Sequence, residues 1–317
     1  PALAAVSTVT ERLPVYTQLV EQARSLNRLG LPLGQASLSA GSRLMREEIL
    51  PAVAQLRARE SAELADALRR GGAFPAPVLL LGLALLVALV DLGRHERRRT
   101  HRDLEPGLLV AGVAVLAAVL WWAGTGLAAG SVLDGAGRHA AAAAALDETR
   151  TAVAQARSNE SLVLVARGGG SADTGFTTQL DRVLAPGGLL DAAASRGADV
   201  AGVRAAAQAW WAAHREVRAL DDGGRYREAV AAVVGTPGSG TAGSGAIGSG
   251  VIGSGVAFGL LDDALAAAVT AERNGFAEDV RRAGAAQTLL VPGPALLLVL
   301  AGASTAAGLA RRIAEYR

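Results

Sequence analysis

The sequence has no cysteine, no lysine and a single methionine. Without thiols it has neither a disulfide framework nor a thiolate metal site, so any part outside the cell must be stable by packing alone. Aromatic residues make up only 3% of the chain, and alternating β-branched runs are missing, which argues against sheets. All positive side chains except histidine are arginine, a codon bias of very GC-rich genomes rather than a physical constraint. The formal net charge of +2 says little about partners, and arginine is densest in one short loop.

Charge is also missing from three long stretches, Phe74–Val90, Gly107–Gly130 and Gln287–Ala310, built almost wholly from Leu, Val, Ala and Gly. The last two exceed the roughly 18 apolar residues at which a membrane span becomes the default reading. The first is shorter and is promoted by its neighbour, since the tight loop between them needs both to be spans. The loop Asp91–Pro106 carries Arg94, Arg97, Arg98, Arg99 and Arg102, and the tail 311–317 carries Arg311, Arg312 and Arg317. Short arginine-rich loops stay cytoplasmic. The expected fold class is therefore all-α, a polytopic membrane protein with helical-bundle extracytoplasmic domains. Its parts are 1–73 outside, 74–90 spanning, 91–106 a basic cytoplasmic loop, 107–130 spanning, 131–286 outside, 287–310 spanning and 311–317 a cytoplasmic tail. The loop is too short and too close to lipid for nucleic acid, so anionic headgroups are its expected contact. The external segment that opens at Pro1 has no apolar stretch ahead of it, and we expect a preceding span.

Helical spacing dominates the external parts. Leu38, Leu44, Met45, Ile49, Val53 and Leu56 lie on one face, predicting a helix from about Gly34 to Arg70 that Pro51 bends or divides. An earlier helix, about Pro14–Arg28, is separated from it by the turn Leu29–Leu33. Further helices are expected over Leu133–Val165 (continuous with the span before it), Phe176–Leu184, Ala198–Leu220, Tyr226–Val234 and Phe258–Ala286. Between Gly238 and Gly255 a five-residue Gly-Ser repeat reads as a flexible linker, since the strand and lysine of a phosphate-binding loop are missing.

Candidate chemistry is sparse. His95 and His101 belong to the basic loop, and His214 is expected at a surface or bundle edge, because no Glu-x-x-His pair supports a metal site. Asp221–Gly224 reads as a helix end and turn rather than half a calcium loop. Asp262 and Asp263 are placed near a helix start. Trp121 and Trp122 suit a membrane interface. Trp210 and Trp211 cannot both face one core, so one is expected packed and the other at a contact surface. Together with Leu29, Gly30, Leu31, Pro32 and Leu33 they form the expected partner-binding surface. No serine elbow and no intramembrane charge supports hydrolysis or proton-coupled transport. The chain is expected to be non-enzymatic, without cofactor or metal. A transporter or permease subunit is the alternative. Gly-rich spans such as Gly107–Gly126 allow a homo-oligomer.

Four segments carry a family resemblance: Ala23–Met45 (ARSLNRLGLPLGQASLSAGSRLM), Asn159–Gly168 (NESLVLVARG), His214–Ala229 (HREVRALDDGGRYREA) and Ala257–Leu265 (AFGLLDDAL). In order and spacing they resemble the GlnX-type membrane proteins of actinobacteria. The resemblance implies a signalling component that connects an external amino-acid-binding lipoprotein with a soluble Ser/Thr protein kinase inside. The Gly-Ser repeat is a departure from that pattern.

Overall fold

The computed structural model describes residues 2–29, 33–72, 76–100, 106–165, 171–234, 246–247, 251–288 and 292–315. These residues are almost entirely helical: α1 Ala2–Arg28, α2 Leu33–Leu44, α3 Leu50–Gly71, α4 Ala76–Thr100, α5 Pro106–Val165, α6 Ser171–Leu184, α7 Leu189–Ala194, α8 Ala201–Asp222, α9 Tyr226–Val234, α10 Ser254–Thr288 and α11 Pro292–Glu315. The exception is a two-residue antiparallel ladder inside the Gly-Ser repeat, β1 Ala246–Ile247 paired with β2 Val251–Ile252. The chain divides into two units, residues 1–65 with 138–274, and residues 66–137 with 275–317.

In the first unit the core combines large side chains with alanines such as Ala142, Ala156, Ala207 and Ala213. Trp210, Phe176, Leu146, Leu180, Leu190, Leu261 and Leu265 are fully buried, drawn from α5, α6, α7, α8 and α10. Burying each such side chain contributes about 1.5–3 kcal/mol. α1 and α2 form a helical hairpin whose close approach depends on Gly34: a Cβ there would lie 3.1 Å from the Ala23 carbonyl oxygen and the Asn27 nitrogen. Pro51 is accommodated without a break. Residues Met45–Ile49 form a π-turn between α2 and α3, where the Leu50 N–H bonds the Met45 carbonyl, five residues back. The wider turn relieves the clash that a proline ring makes with the preceding turn. The expected division near Pro51 is thus a local widening.

The second unit is packed the other way round. Its buried cluster, Ala111, Ala114, Val115 and Ala301, is small, with Leu86, Leu89 and Val119 around it. The larger aliphatics of α4, α5 and α11 point outward, Leu80, Leu81, Leu109, Val113, Leu120, Leu127, Leu296 and Val299 among them. Gly293 leaves room for the Trp121 indole, whose Nε1 would lie 2.9 Å from a Cβ there.

Two stretches are long and apolar enough to cross a membrane by length and composition, Leu109–Val165 and Ser254–Ala286. The second contributes Ala257, Leu261, Leu265 and Val269 to the bundle core, so core packing accounts for its composition. A shorter apolar helix covers Pro292–Ala307. The expected run from Phe258 into the last stretch falls on residues 289–291, outside the described residues. α4 continues through Thr100, so the first part of the expected basic loop is helical.

Candidate functional site

Among the described residues a few polar side chains of the first unit are buried, Glu160, His214 and Ser254 among them. Glu160 is completely buried on α5, and Oε1 and Oε2 are both engaged. Ser254 Oγ donates to Glu160 Oε1 at 2.5 Å and accepts from Trp210 Nε1 at 2.9 Å. His214 Nδ1 lies 2.9 Å from the same Oε1, and its Nε2 lies 3.3 Å from Asp173 Oδ1. Arg157, one turn before Glu160, donates to Glu160 Oε2 at 2.5 Å and to the Val233 carbonyl at 2.5 Å. Four helices, α5, α6, α8 and α10, thus each supply a member of one connected set.

Aromatic rings enclose it. Phe176 stacks on the His214 ring at 3.5 Å between centroids and meets Trp210 edge-on at 5.0 Å. Phe258 packs against Trp210 at 5.4 Å and lies under the Arg157 guanidinium at 5.2 Å. Rings of this kind lower the local dielectric, which strengthens each charged hydrogen bond and makes an unpaired member costly. Burial by itself would raise the Glu160 carboxyl. The hydrogen bonds from His214 and Ser254, with the Arg157 charge, outweigh it and hold the group below its ordinary value. Both ring nitrogens of His214 face carboxylate oxygens; a protonated ring satisfies both as donor, a neutral ring only one.

The set continues outward. Arg218 bonds Asp221 and Asp222 and lies 3.5 Å from Asp173. Asp221 and Asp222 close α8, and Gly224, at φ +75°, carries the chain through the turn while the Arg225 N–H bonds the Leu220 carbonyl. Arg46, just past the π-turn's first residue, donates to Asn159 Oδ1 at 3.1 Å, which ties α2–α3 to the helix that carries Glu160. Among the described residues no three His, Asp or Glu side chains converge as a metal site.

Several expectations are corrected here. His214 is buried at the centre of the network rather than at a bundle edge. Asp262 lies two turns into α10, where Arg150 grips it with two bonds of 2.9 and 3.2 Å; it is an interhelical ion-pair partner and not a helix-start residue. Ser254, read as linker, opens α10 and is fully buried. Of the expected partner surface, Trp210 is wholly buried while Trp211 is partly exposed and rests on Phe176 at 6.1 Å. Leu29 and Leu33 are exposed at 70% and 62%; Gly30, Leu31 and Pro32 lie outside the described residues. Arg94 is exposed on α4, Arg97, Arg98 and Arg99 fall in its last turns with side chains not described, and Arg102 lies outside the described residues.

The network is not legible in the sequence because its members lie on different helices, whereas each Glu-x-x-His motif of a paired-helix site is a local spacing. A usable signal was present. Glu160 and Asn159, His214 and Arg218, and Phe258 all fall within the quoted resemblance segments, as polar or aromatic residues in otherwise Ala- and Leu-faced helices.

Residues 1–69 match a family described as an actinobacterial sensor domain. No curated protein and no solved structure matches the chain significantly.

Proposed function

We propose that this chain is a non-enzymatic, membrane-embedded sensor component that relays amino-acid availability from outside the cell to a kinase inside. In this reading α4, the first part of α5 and α11 cross the bilayer. The bundle that contains the buried network lies outside, and Asp91–Pro106 with the tail 311–317 lies at the anionic inner surface. An external amino-acid-binding lipoprotein and a soluble cytoplasmic Ser/Thr kinase are its partners. The actinobacterial sensor match over 1–69 supports the sensor role.

The observation that carries the reading is α5. It is one helix of 60 residues, with exposed Leu and Val from Leu109 to Leu127 and core residues from Leu146 to Ala156. At about 1.5 Å per residue the exposed band is roughly 27 Å long, close to the bilayer's hydrocarbon thickness. In this reading a shift of about 1–2 Å is carried along the helix. The network fixes the external part of that helix through Arg157 and Glu160, so the lever is clamped at the end where a ligand or partner acts.

The test is affinity capture of the full-length protein from detergent-solubilised membranes, with and without glutamine, aspartate or glutamate, followed by mass spectrometry. Recovery of a solute-binding lipoprotein and a soluble kinase is the expected result. Recovery of transport ATPase subunits, or amino-acid uptake by vesicles reconstituted with the chain, would replace the sensor reading with a transporter.

A further inference from the structure

Between α6 and α8 an open cleft of about 300 Å³ is lined by Asp181, Leu184, Gln208, Trp211 and Arg215. Gln208, Trp211 and Arg215 follow one another at helical steps of three and four and share a face of α8; Asp181 and Leu184 are likewise three apart on α6. The cleft thus offers a carboxylate, a guanidinium, an amide, an indole and an aliphatic wall.

Its two charges are uncommitted. On α8 the neighbouring Arg204 is bound to Asp191 and Arg218 to Asp221 and Asp222; on α6 Asp173 meets His214, and Arg182 meets Glu148. Among the described residues Asp181 and Arg215 form no ion pair, with each other or with any third group, although they line the same cleft. Opposite charges that line one concavity without pairing suit a ligand that carries both signs itself. A simple anion would meet Asp181, and a simple cation would meet Arg215. Trp211 is partly buried and has Phe176 as a ring neighbour at 6.1 Å, so its indole offers an apolar face to the cleft.

We infer that this cleft binds a small zwitterion, of which a free α-amino acid is the type. The Arg215 guanidinium takes the carboxylate and Asp181 takes the ammonium. Gln208 adds one donor and one acceptor, and the ligand's side chain lies against Trp211 and Leu184. The inference does not depend on the relay to a kinase, since it concerns direct contact between ligand and bundle. A cleft this open and a ligand this small imply a dissociation constant on the order of 0.1–1 mM.

The experiment is calorimetric titration of the full chain in lipid nanodiscs with glutamine and leucine, beside their N-acetyl and carboxamide derivatives, which each lack one charge. The expected result is binding of the free amino acids and at least about tenfold weaker binding of both derivatives. Asp181→Asn and Arg215→Gln, at exposed positions, are each expected to weaken the free amino acids by about tenfold. No binding at about 10 mM, or equal binding of blocked and free ligands, overturns the inference, and so does unchanged binding by both folded variants. The derivative series uses the unaltered protein, so it decides the question even where a variant fails to fold. Capture of lipoprotein and kinase without any such binding would leave the relay standing and remove only this cleft; binding without capture would do the reverse.

Discussion

The bundle unit and the apolar unit use the same residues, alanine, leucine and valine, in opposite arrangements. In the bundle the large side chains are inside: Leu146, Leu180, Leu261 and Leu265 are fully buried around Trp210 and Phe176. In the apolar unit alanines hold the centre, and Leu109, Val113, Leu120 and Leu127 face outward. Water rewards the first arrangement, because burying large aliphatics removes apolar area from it. Nothing in water rewards the second, which would leave a continuous apolar surface exposed. In hydrocarbon the preference changes: helices associate by close approach through small residues, while large aliphatics are equally well solvated by lipid chains. The contrast supports the proposed placement of the apolar unit in lipid. The bundle's charged groups are the second difference. A few of them, Glu160 and His214 included, are buried and paired, whereas the expected spans carry none.

The largest effects are expected at the network. Glu160→Ala leaves His214, Ser254 and Arg157 without their shared acceptor, and a loss of about 3–5 kcal/mol of bundle stability is expected in denaturant unfolding. Trp210→Ala, which empties a core position and releases Ser254, is expected to cost about as much, roughly 3–5 kcal/mol. A loss under 1 kcal/mol in either would mean that the network is not a buried, coupled set.

In the apolar unit the decisive change is a charge on the outward face. Leu120→Arg is expected to cost about 2.5–3.5 kcal/mol for insertion into a bilayer. Leu260→Arg, at an exposed site of the bundle helix α10, should cost no more than about 0.5 kcal/mol. Membrane-integration assays of the two variants side by side measure the contrast, and equal effects would erase it.

Acid titration offers a smaller and more specific probe. The Glu160 carboxyl is held low when folded, so its contribution to stability is full above the ordinary glutamate value of about 4.3 and is lost as pH falls through the depressed folded value. Asp191, held low by the Gly187 N–H and by Arg204, acts in the same direction. The unaltered protein should therefore lose bundle stability more steeply below that pH than Glu160→Gln, as thermal melts across pH 3–6 would reveal (about this range, from the ordinary carboxylate values). Identical slopes would separate the network from acid unfolding. The smallest effect is expected at Arg150→Gln. It removes a half-exposed pair with Asp262 and should change stability by about 0.2–1 kcal/mol, less at high salt.

Helix existence was readable from periodicity, and one helix, Tyr226–Val234, was read with its observed ends. Helix starts were less legible because proline and glycine were weighed as breakers. Pro14 lies inside α1, a helix that packs on α2, and Gly255 lies in the first turn of α10, where Ser254 is fixed by Trp210 and Glu160. Tertiary contacts override local preference at both places. The network stayed hidden for a different reason. Its bonds join residues separated by tens of positions, such as Glu160 with His214 and Ser254, and no local period records which helices become neighbours. The outward-facing leucines of α5 were legible as an apolar run, while the inward alanines that define the packing face were not distinguishable within it.

In the proposed arrangement the apolar unit faces lipid while the bundle faces water outside the cell. The absence of cysteine allows a clean measurement: single cysteines at Leu120 and at the exposed bundle position Ser195, probed in intact cells with a membrane-impermeant maleimide. The account predicts that Ser195→Cys is labelled without permeabilisation and that Leu120→Cys is labelled only after denaturation. Labelling of Leu120→Cys in intact cells at the rate of Ser195→Cys would contradict it.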